Sequence, residues 1–147
     1  MKVSTRDEYG MLALTDIALH SGNNVSVSAP EIAERQGISQ KYLEQILTHL
    51  KQAGLIRAQK GLRGGYTLTR PAETIRLAEI LNALDTGILE GTGNTGANTG
   101  SLREAVNTCL WEKMNREINE FAESKMLSEF LTECREQMAG EWDLYVI

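Results

Sequence analysis

The stretch "APEIAERQGISQKYLEQILTHLKQAGLIRAQKGLRGGYTLTR", residues 29–70, changes its apolar periodicity twice and marks each change with turn residues. Just before it, Ser28 stands three residues ahead of Glu31, with Pro30 in the first turn, which predicts a capping-box start to a short helix over "APEIAERQ". Gly37 ends that helix. Ser39 can cap a second one whose apolar face is Leu43, Ile46, Leu47 and Leu50, and Gly54 stands where a C-terminal glycine belongs. Beyond it, "LIRAQ" and "YTLTR" are strand-like runs joined by "KGLRGG", whose glycines can supply the positive backbone angles of a hairpin loop.

Two helices separated by the short turn "GIS" form the core of a helix-turn-helix, and a following hairpin with a basic tip makes it winged. Working outward, "YGMLALTDIALH" carries Met11, Leu14, Ile17 and Ala18 at helical spacing, and "VSVS" alternates over too few residues for more than a strand fragment. After Pro71, Leu77, Ile80, Leu81 and Leu84 mark another helix, ended by "LDTG". "GTGNTGANTG" is low in complexity and is expected to be a flexible loop. Leu102, Val106, Leu110, Met114, Ile118 and Phe121 then form a stripe along a helix of roughly 20 residues, about 30 Å by rise; Leu127, Phe130, Leu131 and Cys134 continue with a shorter one. The expected fold class is mainly α with a small β-hairpin wing: a winged helix-turn-helix plus a long dimerisation helix. Its divisions are 1–85 for the winged helix-turn-helix, 86–101 for the Gly/Thr/Asn-rich loop, and 102–147 for the dimerisation helix and C-terminal segment. The stripe is longer than a small core can cover, so a second copy of the chain is expected against it, two-fold dimers being the commonest assembly.

The totals fit a globular chain: 147 residues, 41% apolar and 24% charged. No apolar run approaches the roughly 20 residues that cross a bilayer, and the opening "MKVSTRDEYG" lacks the apolar centre of a secretory signal, so an intracellular, cytoplasmic protein is expected. Cys109 and Cys134 are too few for a disulfide scaffold and are expected to be ordinary half-buried thiols. Gly91, Gly93 and Gly96 match G-x-G-x-x-G, but a helix rather than a buried strand precedes them. His20 and His49 are isolated, and no H-E-x-x-H pair or nucleophile elbow occurs; no enzymatic activity is expected. Charge is the informative total. Formal net charge is -5, yet residues 1–85 hold ten basic and nine acidic side chains, residues 86–147 five and eleven, and the window from Arg35 to Arg70 seven basic against Glu44 alone. Overall acidity therefore does not exclude a nucleic-acid partner.

With the leucine face of the third helix turned inward, Lys41, Gln45, Thr48 and Gln52 fall on the opposite face, with Glu44 at its edge. Glutamine can pair with adenine, glutamate can accept from the cytosine amino group, and lysine can donate to guanine. Ser39, Gln40 and Tyr42, near the helix start, are placed to donate to phosphates with help from the helix dipole. A carboxylate near phosphates is repelled, so Glu44 should weaken non-specific binding while rewarding a cytosine in register; otherwise it is a solvated charge or a partner for Lys41. At the hairpin tip, Lys60, Gly61 and Arg63 combine small residues with cations suited to a narrow minor groove. The apolar, aromatic tail "EWDLYVI" either packs on the dimer or presents Tyr145, Val146 and the carboxylate of Ile147 to a partner pocket.

"SQKYLEQILTHLKQAGLI" followed by "KGLRGGYTL" strongly resembles the IscR/CymR family of bacterial winged-helix transcription regulators. "MKVSTRDEYGMLALTDIAL", "RLAEILNALD" and the Leu110–Trp111 pair also fit, closely over about residues 1–85 and loosely beyond. The resemblance implies a homodimer on palindromic promoter DNA, with long helices crossing so that each chain presents one winged helix. It also implies that Ser39, Tyr42, Glu44 and Gln45 face the major groove and Lys60 the minor groove. The setting implied is the bacterial cytoplasm, at the nucleoid. Cluster-bearing relatives hold [2Fe-2S] through three cysteines before the Leu–Trp pair, often with a nearby histidine, and Gly87 to Thr108 contains neither residue type. No cofactor is thus expected from this chain; the alternative is a [2Fe-2S] cluster if the loop at 92–105 is an altered version of a ligand-bearing one. A cluster-free regulator like the cysteine-metabolism repressors is favoured, and with it, as a second function, a tail that binds a metabolic enzyme such as cysteine synthase.

Overall fold

The computed structural model describes residues 3–62, 64–84, 87–90 and 101–146, and of 141–146 only the backbone. Helix α1 (Thr5–His20) begins at Ser4, whose hydroxyl accepts the Asp7 amide. Helix α2 (Ala29–Gln36) has the expected capping box in full: Glu31 N–H donates to Ser28 Oγ at 3.3 Å, and Ser28 N–H to Glu31 Oε2 at 3.1 Å. Gly37 closes it in the left-handed conformation, φ 65°, which lets the chain turn through buried Ile38 to Ser39. Ser39 then caps α3 (Gln40–Gln52), accepting the Tyr42 amide at 3.3 Å.

Strands β1 (Ile56–Gln59) and β2 (Gly65–Leu68) pair antiparallel from Ile56↔Leu68 to Gln59↔Gly65. The segment before α2 adds only a bridge, Val27 with Tyr66, whose two backbone hydrogen bonds measure 3.0 and 2.7 Å. Among the described loop glycines, Gly61 supplies the positive φ expected of "KGLRGG", at 122°, while Gly64 and Gly65 are not in that conformation. Their requirement is space. A Cβ on Gly65 would stand 2.5 Å from the Val27 carbonyl oxygen, and one on Gly64 2.7 Å from that of Gln59.

A 3₁₀ turn (Ala72–Thr74) leads to α4 (Leu77–Leu84). The second half is a helical rod in which α5 (Ser101–Val106), one π-helical turn (Asn107–Trp111) and α6 (Glu112–Ser124) run end to end. Helix α7 (Leu127–Val146) follows and is 20 residues long, shorter than the rod before it but running well past Cys134, where its expected apolar spacing ended. The "EWDLYVI" backbone continues it to Val146, because neither glycine nor proline intervenes after Gly140. Ile118 is half-buried and so leaves the exposed stripe, while Trp111, 44% exposed, joins it. The loop expected over 86–101 falls mostly outside the described residues; its start, Leu89, accepts a hydrogen bond from Asn119 Nδ2 at 3.3 Å.

One core unites these elements. Leu14 and Ile17 of α1, Ile32 of α2, Leu43, Ile46, Leu47 and Leu50 of α3, and Ile80 and Leu84 of α4 are buried together, and Leu127 and Leu131 of α7 join them. The α6–α7 corner is clamped to the start of α4 by Leu127 N–H to Ile75 O at 2.7 Å and Leu77 N–H to Lys125 O at 2.9 Å. Truncating any of the α3 leucines would cost about 2–5 kcal/mol, so this face is fixed and its opposite face is presented to solvent.

Candidate nucleic-acid interface

Because Leu43, Ile46, Leu47 and Leu50 are buried, Gln40, Lys41, Glu44, Gln45, Thr48 and Gln52 are all exposed on one side of α3, as its spacing requires. The side chains are not equally free. Thr48 donates its hydroxyl proton to the Glu44 carbonyl at 2.8 Å, leaving its oxygen as an acceptor. Glu44 receives the Gln40 amide at 3.4 Å, and among the described residues no ion pair joins it to Lys41. The carboxylate remains exposed and open to an amino donor.

At the N-terminal end of α3 the fold adds what the sequence order conceals. Thr5 and Tyr9 of α1 and Ser39 and Tyr42 line one open cleft of about 590 Å³, so four hydroxyls converge beside the helix start. The Tyr9 and Tyr42 rings meet edge to face, centroids 5.8 Å apart at 77°, which holds the start of α3 against α1. Sequence reasoning placed Ser39 and Tyr42 here and missed Thr5 and Tyr9. Only the helical spacing of Thr5 and Tyr9 hinted that they share a face.

The wing brings Lys60 and Gly61 to its exposed tip; Arg63 lies outside the described residues, and so do the side chains of Tyr145 and Val146 and all of Ile147. Leu62, which drew no notice in the sequence, is wholly exposed beside them.

The basic window is corrected in strength. Arg35 is engaged by Asp16, its Nε donating to Oδ2 at 3.0 Å and its Nη2 to Oδ1 at 2.7 Å, and Arg70 is paired with Glu79. Both acids come from outside the window. Of the six described cations of the window, two are thus engaged within the fold, and the other four lie on α3 and the hairpin. Asp16 is a carboxylate with no side-chain exposure. Burial pushes its pKa up, but hydrogen bonds from Arg35 and Gln36 outweigh that and hold it below the usual aspartate value. Glu79 is likewise lowered, chiefly by the Arg76 backbone N–H and then by Arg70.

Iron or an iron-sulfur cluster would need several thiolate, imidazole or carboxylate donors at bonding distance. Among the described residues no three His, Cys, Asp or Glu side chains converge in this way, and residues 91–100 contain none of these types. Cys109 is exposed on the π turn, and Cys134 is half-buried on α7 with its thiol pKa raised by burial and then by Glu133. The described donor set does not fit a cluster held within one chain.

Residues 3–133 match the Rrf2 family, described as "Iron-dependent Transcriptional regulator". The chain is 40% identical over 136 residues to the HTH-type transcriptional regulator IscR of Cereibacter sphaeroides, covering 89% of this chain and 87% of that one. Among solved structures, T. potens IscR aligns with a TM-score of 0.75 at 35% identity, covering 93% of this chain and 90% of that chain. CymR, the global cysteine regulator of B. subtilis, aligns with the same TM-score at 25% identity, covering 90% and 98%. The hairpin beside α3 is thus the wing of a winged helix-turn-helix, and the chain belongs to the Rrf2 family of DNA-binding transcriptional regulators, which are not enzymes.

Proposed function

We propose that this chain is a dimeric, sequence-specific regulator of genes of iron-sulfur or cysteine metabolism, acting in the bacterial cytoplasm at the nucleoid. The observation that carries the reading is the polar face of α3. Lys41, Glu44, Gln45 and Thr48 are exposed on a helix anchored by four buried apolar residues, a rigid mount of the kind that base readout needs. Ser39, Gln40 and Tyr42, with Thr5 and Tyr9 across the cleft, take backbone phosphates at the positive end of α3. Lys60, Gly61 and Arg63 take the adjoining minor groove.

The division of labour assigns reading to residues 1–85 and dimerisation to residues 102–147. Leu102, Val106, Leu110, Trp111, Met114 and Phe121 are each at least 44% exposed along the α5–α6 rod, and this apolar surface supports pairing with a second copy. Crossed rods would then place two α3 helices on half-sites of a palindrome, about one helical turn or a multiple of it apart. The relatives' names, IscR and the global cysteine regulator CymR, support the gene class.

Enrichment from a randomised duplex pool by the full-length protein tests the reading directly. The expected product is a palindrome bound at two chains per duplex; absence of any enriched sequence overturns it. A second reading, docking of the Tyr145–Val146–Ile147 tail on an enzyme such as cysteine synthase, rests on the apolar, aromatic sequence of the tail alone. Titration of purified cysteine synthase with the full chain and with a chain lacking these three residues tests it: binding that survives the deletion removes the tail from the interaction.

A further inference from the structure

The tip of the wing carries a side chain that neither the fold nor electrostatic attraction explains. Leu62 is 109% exposed, more than any other large apolar residue among those described, and is absent from the core cluster and from the residues packed against it. The described residues on either side of it are constrained by their backbone. Gly61 sits at φ 122°, where side chains are strained, Gly64 N–H donates to Gly61 O at 2.9 Å, and the backbone at Gly64 has no room for a Cβ. The turn therefore holds Leu62 outward at the apex of a paired hairpin, with Lys60 two residues before it and Arg63 directly after. A loop needed only to touch phosphates would be served by a polar residue there. An isolated exposed leucine is ordinary on a flat surface, but this one stands at the point of the wing directed at the duplex.

We propose that Leu62 is an apolar wedge that enters the minor groove, covers the sugar edges and partly opens one base step, bending the DNA toward the major groove. The inference rests on the DNA-binding reading above and deepens it. The cations and the leucine divide the work: Lys60 and its neighbours draw the tip onto the phosphates, and Leu62 gains by leaving water inside the groove. Flexible pyrimidine–purine steps open at the lowest cost, so the wedge makes the protein sensitive to a step that it does not read by hydrogen bonds.

The test uses the full-length protein and the palindromic duplex that the wild-type chain enriches. Affinity is followed across a salt series, and bending by energy transfer between dyes at the duplex ends. Leu62→Ala is expected to bind about ten-fold more weakly with unchanged salt dependence, to bend the duplex less, and to lose the wild-type preference for a TA step under the wing over an A-tract. Leu62→Met retains an apolar side chain of similar size and should keep all three properties. Lys60→Ala provides the contrast, with a slope of log affinity against log salt shallower by about 1 per chain. Thermal unfolding of Leu62→Ala should match the wild type, since the side chain supports no packing. Wild-type affinity and bending in Leu62→Ala would overturn the wedge while leaving the DNA-binding reading intact; so would a loss of affinity that follows a changed salt slope or a lower melting temperature. A wild-type chain that enriches no duplex at all overturns the underlying reading instead.

Discussion

Asp16 lies within the buried stripe of α1, between Ala13, Leu14 and Ile17, with its carboxylate enclosed and held by Arg35 and Gln36 of α2. One side chain thereby fixes the angle between two helices of the reading head and removes Arg35 from the field that faces DNA. Asp16→Asn should cost about 2 kcal/mol in urea unfolding, below the range for fully buried pairs because Arg35 is partly exposed and can turn to solvent. The same pair sets an acid limit. Since the folded state lowers the pKa of Asp16, its contribution is complete above the ordinary aspartate value and is lost as pH falls through the lowered one. Stability measured from neutral to acidic pH should decline in that window, and less so in Asp16→Asn. Glu44 is the opposite kind of acid: exposed, held among the described residues by the Gln40 amide at 3.4 Å, and set on the reading face. Glu44→Ala is expected to relax base choice at one position of the enriched site while binding to random duplex is unchanged or tighter; selection with the variant protein checks this. Equal losses on cognate and random duplexes would remove Glu44 from base readout.

At the scale of elements, the wing depends on a backbone contact more than on its strands. Two strands of four residues are marginal alone, and the bridge between Val27 and Tyr66 ties the hairpin to the segment that precedes α2. Gly65 makes this bridge possible, because any Cβ there would lie 2.5 Å from the Val27 carbonyl. Gly65→Ala should therefore open the bridge, cost about 1–3 kcal/mol by strain, and weaken DNA binding more than Lys60→Ala does. Thermal unfolding together with duplex titration would detect both effects. The helices were legible because each carries its own signals: the capping box at Ser28 and Glu31, the left-handed Gly37, the Ser39 cap and the leucine spacing of α3 are all local. The bridge partner of Val27 and the reason for Gly65 were not legible, since both depend on segments nearly 40 residues apart meeting in space.

At the scale of the whole molecule, the rod of α5, the π turn and α6 leaves Val106, Leu110, Trp111 and Met114 exposed, each at 44%, a costly arrangement unless another surface covers them. Met114→Glu in the middle of that patch is expected to yield a folded monomer in sedimentation equilibrium. Its affinity for a full palindrome should fall by about a hundred-fold or more, while binding to a single half-site is unchanged. A variant that remains dimeric would place the interface elsewhere. The sequence by itself determined the order of the main helices and the two strands, the leucine-backed face of α3 and the exposed residues opposite it, because helical period, caps and turn residues act within a few positions of one another. Only the tertiary structure decided three other things: that Asp16 and Glu79 neutralise Arg35 and Arg70, that Thr5 and Tyr9 join Ser39 and Tyr42 at one cleft, and that α7 returns Leu127 and Leu131 to the common core. Charge pairing and burial depend on distance through space: Asp16 and Arg35 are 19 residues apart, and even Arg70 and Glu79, 9 apart, meet only because the chain turns between them.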